Sequence, residues 1–275
     1  MRKNDNMRNF ADAIGLFFAF TKVSLLTQLE YPMRYLVRCI GKVLSFGGGF
    51  ALVLIMLTRF RVIGTWSMHE VLLLYSVNLL CYSLGATFAM PVNDLSMRVH
   101  NGTIDSILTK PVNPLYLYMC QQVSAGYTTN YVISLIIMGV SLHNLDIALS
   151  FFTVSFLIVG IIGGALIHAA ALIASGVPAF WLVKSSALSR IFYWEASRFI
   201  DYPISIYAGG VQVILTFLLP LAFINYYPLQ LFLGRGDTPF SPALMYLSPV
   251  VGIVCFIGAY RFWKYGLDAY QSTGS

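Results

Sequence analysis

Residues 71–91 read VLLLYSVNLLCYSLGATFAMP. The run carries no charged side chain and matches the roughly 20 apolar residues that a membrane-spanning helix needs. The stretch that follows, 92–113, is different in kind. Its second half, NGTIDSILTKPVN over 101–113, holds an Asn-Gly, a Thr two residues before an Asp, a Lys and a Pro. A greasy helix that opens into a short polar elbow is the unit from which the rest of the chain is read.

The whole chain repeats the theme. Of its 275 residues 58% are hydrophobic and 10% charged, against about 25% charged in a soluble domain. Tyrosine and phenylalanine are abundant, which suits a protein with two membrane–water interfaces. The pattern predicts an all-α integral membrane protein with six transmembrane helices, over 36–58, 71–91, 114–142, 149–175, 209–224 and 244–262. The uncharged run over 148–183 is too long for one span at about 1.5 Å per residue. Gly176-Val177-Pro178 is its natural break, because a residue before proline avoids helical geometry. An interfacial segment is therefore expected over 180–204, where Trp181, Phe192, Trp194 and Phe199 alternate with charges. Ahead of the first span, apolar residues at helical spacing predict an amphipathic interfacial helix over 10–35.

Charge placement orients the bundle. With both termini in the cytoplasm, only Arg59, Arg61 and Arg235 of the 17 lysines and arginines fall outside, as the positive-inside rule requires. The net charge of +6 is then an orientation signal and not a nucleic-acid footprint. The basic N-terminal MRKNDNMRNF lacks a following apolar core with a small-residue cleavage site, so no removable signal peptide is expected.

Reactive chemistry is sparse. Cys39, Cys81, Cys120 and Cys255 are far apart and form no CxxC pair, and His69, His100, His143 and His168 are scattered, so no metal site is expected. There is no phosphate-cradling loop, no HExxH and no GxSxG, so no catalytic residue and no cofactor are expected in this chain. Asn101-Gly102-Thr103 fits a glycosylation sequon but falls on the inside. His168 is the one ionisable residue expected deep in a span. An ion-coupled carrier needs more such groups, so energy is expected to arrive through a partner.

The elbow reads as a compact helical knob. Val92, Leu95, Val99, Ile104, Ile107 and Leu108 form an apolar stripe. Gly102 breaks the helix, Thr103 is placed to cap the next one, and Asp105 lies in its first turn, where a carboxylate suits the dipole. Lys110 falls beyond its end and Pro111 stops it. Asn113 and Pro114 start the next span as N-cap and N1 proline. On these grounds alone the knob is either a partner-binding element or simply a well-made turn.

Here the chain resembles a family. Arg98, Gly102, Asp105, Leu108 and the run Lys110-Pro111-Val112-Asn113-Pro114-Leu115 are similar to the cytoplasmic loop of type-2 permeases of ATP-binding-cassette transporters, in the short drug-export branch. Trp66-Ser67, the run Glu70 to Tyr75, Tyr202 to Tyr207 and Leu219 to Tyr226 extend the likeness from about residue 30 onward. Gly47-Gly48-Gly49 departs from it. The resemblance implies a subunit of a bacterial-type cytoplasmic membrane exporter. By that resemblance it would pair with a second permease, identical or related, and would rest on two ATPase subunits that hold ATP and Mg. The knob would be the coupling helix, formed by Arg98, Gly102, Thr103, Asp105, Leu108, Lys110, Pro111, Asn113 and Pro114. The N-terminal helix would be a second contact.

Other polar groups are open to two readings. Asn78, Gln121, Gln122, Asn130, His168 and Gln212 either line a translocation path or hydrogen-bond between helices. Gly160 and Gly164 form GxxxG, a close helix contact or an incidental pairing. Trp66, Tyr226 and Tyr227 are expected as interface anchors. The few polar groups in the spans suit a hydrophobic or amphipathic substrate such as a drug, peptide or lipid. A secondary transporter and an integral membrane enzyme are the competing readings.

Overall fold

The computed structural model describes residues 62–270 except 122–124, 146, 148–149, 183–189 and 237, together with scattered positions between 15 and 55. The helix expected over 10–35 and the span over 36–58, with Gly47 to Gly49, lie outside this continuous description. The described chain is helical apart from one antiparallel pair of two-residue strands, β1 (Val62–Ile63) and β2 (Trp66–Ser67).

Helix α1 (Met68–Ala89) starts where the backbone N–H of Ser67 donates to Glu70 at 2.7 Å. It runs on through a tight turn, Met90–Asp94, into α2 (Leu95–His100) as a rod of 33 residues. Almost every side chain of its first half is buried, on all faces. A helix hydrophobic all round sits at the centre of a bundle, and α1 is that centre. The short α3 (Asp105–Leu108) completes the knob.

Of the residues expected to form one span over 114–142, Pro114–Gln121 (α4) and Thr128–Asn144 (α5) are helical, Ala125–Tyr127 is a tight turn ahead of α5, and 122–124 lie outside the described residues. The turn brings the Tyr127 ring edge-on to Tyr82, 5.8 Å between centroids.

Helix α6 (Phe151–Gly176) is capped by Ser150, whose backbone N–H donates to Thr153 at 3.0 Å. It packs beside α1 in the same direction, with Cys81 against Ile161 at one level and Val92 against Gly176 lower down. Helix α9 (Ser248–Asp268) joins them, also parallel. Gly163 and Gly252 let α6 and α9 touch backbone to backbone: a Cβ on Gly252 would lie 2.5 Å from the Gly163 carbonyl oxygen. Among the described residues these three helices are long and apolar enough to cross a membrane, or four if a bent pair counts as one span. The bundle thus has a hairpin end, at 62–67, and a knob end, at 90–113.

Two expectations are corrected by the packing. The first is the interfacial segment over 180–204. Phe180 stacks edge-on with Trp263 near the knob end. Tyr193 then bonds His168 midway, Asp201 bonds Asn78, and Ile206 lies 3.4 Å from where a Cβ on Gly64 would be. Residues 190–206 therefore climb along α1 and α6 toward the hairpin end and do not lie flat at the knob end. Tyr193, Ile200 and Ile204 face the bundle, buried, while Arg190, Glu195 and Arg198 pair with one another on the outer face. The mixed charge that suggested an interface is one side of an amphipathic climber.

The second is the span over 209–224. Helix α7 (Gly209–Val213) continues in a wider coil through Ile214–Leu218 and stops at Leu219, which is extended before Pro220. A second leg, through α8 (Tyr226–Phe232), leaves at 71°. Ile206 lies at the hairpin end and so does Arg235, which donates to the Thr65 carbonyl at 2.6 Å. The segment between them leaves and returns at one end. It reaches inward as far as Ile224, which meets Gly164 and Cys81. Proline at 220 makes the turn, because it disfavours helix at the residue before it.

Candidate partner-docking site

The knob is built by an inward stripe and an outward polar face. Val92, Leu95, Ile104 and Ile107 are buried, and Val99 and Leu108 are half-buried. Gly102 takes φ +66°, a left-handed conformation that costs other residues energy. It reverses the chain between α2 and α3. The Thr103 hydroxyl does not cap α3 as expected. It donates to the Arg98 carbonyl at 3.3 Å, and the N-cap position belongs to Ile104, which has no cap bond. Asp105 does lie in the first turn.

Asn113 behaves as the sequence suggests, and more. Its Oδ1 accepts from the backbone N–H groups of Leu115 and Tyr116 at 3.1 and 3.2 Å, capping α4 with Pro114 at the first turn. Its Nδ2 donates to the Tyr260 hydroxyl at 2.6 Å. The Asp105 carboxylate accepts from the Tyr270 hydroxyl at 3.0 Å. Burial, and then the Asp105 carboxylate, push the Tyr270 phenol above its ordinary pKa, so it remains a donor. Arg98 lies over the Tyr118 ring, 5.1 Å from its centroid, and Tyr118 donates to the Pro91 carbonyl at 2.9 Å.

The expected docking residues therefore fall into two groups. Arg98, Gly102, Thr103, Asp105, Asn113 and Pro114 shape and brace the knob, together with the half-buried Leu108 on its inward stripe. Lys110 and Pro111 are exposed on its surface. Sequence reasoning missed Met97. It is 69% exposed, the one large apolar side chain so exposed between residues 62 and 131 among the described residues. The signal was available: Met97 falls off the inward stripe, where a solvated knob has no use for a thioether.

The other candidates scatter. Asn78 and His168 do come together. Asn78 Nδ2 donates to Asp201 at 2.9 Å, so its Oδ1 accepts from His168 Nε2–H at 3.1 Å. His168 Nδ1 is then left to accept from the Tyr193 hydroxyl, also at 3.1 Å. This is an interhelical hydrogen-bond chain that satisfies each buried group. Asp201 is its unexpected member, and it corrects the expectation that His168 alone lies deep. Gln212 Nε2 bonds only the nearby Tyr207 carbonyl, at 2.8 Å. Gln121 is half-buried, and Gln122 lies outside the described residues. Asn130 is fully buried with neither amide atom hydrogen-bonded.

Gly160 and Gly164 are contact glycines. A Cβ on the first would lie 2.9 Å from Pro228, and on the second 2.8 Å from both Cys81 Sγ and the Ile224 carbonyl oxygen. They seat the inward-reaching segment on α6. Trp66, Tyr226 and Tyr227 are not interface anchors. All three are fully buried, with Trp66 and Tyr226 5.6 Å apart and Arg235 over the Trp66 ring. Asn225, also missed, ties the same region together by donating to the carbonyls of Leu74 and Ile200.

The arrangement is a braced turn of two short helices at one end of a close-packed bundle, with Met97, Lys110 and Pro111 exposed on its surface. Comparison with curated proteins gives no match, and neither does comparison with solved structures. A family model described as ABC-2 family transporter protein matches residues 43–274.

Proposed function

Because the chain belongs to the ABC-2 transporter family, we propose that it is the membrane permease subunit of an ATP-driven exporter whose energy enters at the knob. Being a multi-pass permease of an ABC transporter follows from the family. ATPase partners, pairing with a second permease, and export of a hydrophobic or amphipathic substrate belong to the proposal.

The observation that carries it is the knob itself. It is braced from inside by Leu95, Ile104 and Ile107 and presents Met97 and Lys110 outward. Two ATPase subunits, holding ATP and Mg, would seat one knob from each of two permeases. Closure of the ATPases would move the helices as rigid bodies and bias the bundle between two states. Six crossings belong to the proposal, with 36–58 as the first and the segment that climbs over 190–206 as the fifth.

One observation favours a second reading. The Asp201–Asn78–His168–Tyr193 chain is a hydrogen-bonded run that links an aspartate to a buried histidine through an amide, and an ion-coupled carrier uses ionisable groups inside the membrane. The two readings separate on purification in mild detergent from the native host, followed by mass spectrometry and an ATPase assay. The permease reading expects an ATPase subunit with the wild type and its loss in Gly102→Val/Asp105→Lys. A chain that purifies alone and moves substrate on a proton gradient would establish the carrier.

A further inference from the structure

The knob is gripped at two points, one on the last helix and one just beyond its end. Asn113 reaches Tyr260 and Asp105 reaches Tyr270. Tyr260 lies within α9 and Tyr270 two residues past its end, so the grip spans the second half of the knob. Between them α9 comes close to the turn after α6. A Cβ on Gly266 would lie 2.6 Å from the Phe180 ring and 2.9 Å from Val177. The Phe180 ring in turn meets Trp263 and Tyr270 at 5.3 and 5.9 Å. Toward the hairpin end α9 meets α6 backbone to backbone at Gly252 and Gly163.

The knob therefore has two kinds of attachment. Its first half is the continuation of α1 in one rod. Its second half is fastened by side chains to α9 and just beyond its end, and one fastening is a hydroxyl on a carboxylate, a stronger class of hydrogen bond. We propose that Tyr260 and Tyr270 are positioning residues that make the knob and α9 a single lever. Displacement of the knob is passed to α9 and, through the Gly163–Gly252 contact, to α6. The inference rests on the reading of the knob as a docking element. It adds which helix is moved and by which bonds.

The test is hydrogen exchange on the full chain carrying Tyr260→Phe and Tyr270→Phe, which removes two hydroxyls and little else. Amides over 101–110 should exchange about ten-fold faster than in the wild type, the effect of losing two modest hydrogen bonds. Asp105→Asn, which keeps an acceptor for Tyr270 but loses the charge, should fall between the wild type and the double variant. In the complex with its ATPase, adding ATP and Mg should change exchange over 258–268 in the wild type. The double variant should keep the ATPase and lose that change. Unaltered exchange in the knob of the double variant overturns the clamp. An ATP response that persists in the variant overturns the lever while docking stands. A wild type that brings down no ATPase removes docking and lever together.

Discussion

Asn113 shows what a single amide contributes: one end starts a helix and the other holds α9. The cap was legible, because Asn-Pro is a local signal. The grip was not, because Tyr260 lies 147 positions away. The same divide runs through the network around His168. Its depth was readable from an uncharged run, whereas its partners Asn78, Tyr193 and Asp201 come from other segments. His168→Leu would strand the Asn78 carbonyl and the Tyr193 hydroxyl, at about 1–3 kcal/mol for each unpaired group. Thermal unfolding in detergent should show a clear loss, and an unchanged midpoint would mean the chain carries no stability. At the other end of the bundle, Arg235 pairs with Glu70 at 2.9 Å, with both side chains largely covered. Arg235→Ala should cost about 2 kcal/mol, between the surface and buried limits for ion pairs, and Lys should restore only part of it.

At the scale of elements, periodicity and punctuation located helices but not their partners. The uncharged run 71–91 does become helix, and Gly102 does turn the knob. The climbing segment 190–206 was misread because its charges were weighed without knowing that they pair along one face. The bend at Leu219-Pro220 was visible as a dipeptide, yet a strong apolar run on both sides hid it. Glycines carry the packing that sequence alone left undecided. Gly252→Val must push α9 off α6, since even a Cβ would overlap the Gly163 backbone. The expected result is a loss of monodisperse protein in size-exclusion chromatography, with Gly258→Val, where a Cβ meets open space, behaving as wild type.

At the scale of the molecule, three parallel helices with α1 at their centre demand return paths, and the described residues 190–206, which climb toward the hairpin end, supply one. The orientation expected from charge places Gly234 and Asn101 on opposite faces, so cysteines at these two positions should label from opposite sides of the membrane in intact cells and inverted vesicles. Labelling from one side would undo the topology. The central claim is that the knob is where the ATPase engages, and Met97 is its exposed apolar point. The most direct measurement is photocrosslinking from position 97 in the native membrane, with the adduct identified by mass spectrometry. The account predicts an adduct with an ATPase subunit that weakens when Lys110 on the same surface is made acidic. An adduct with lipid alone, or none, would contradict it.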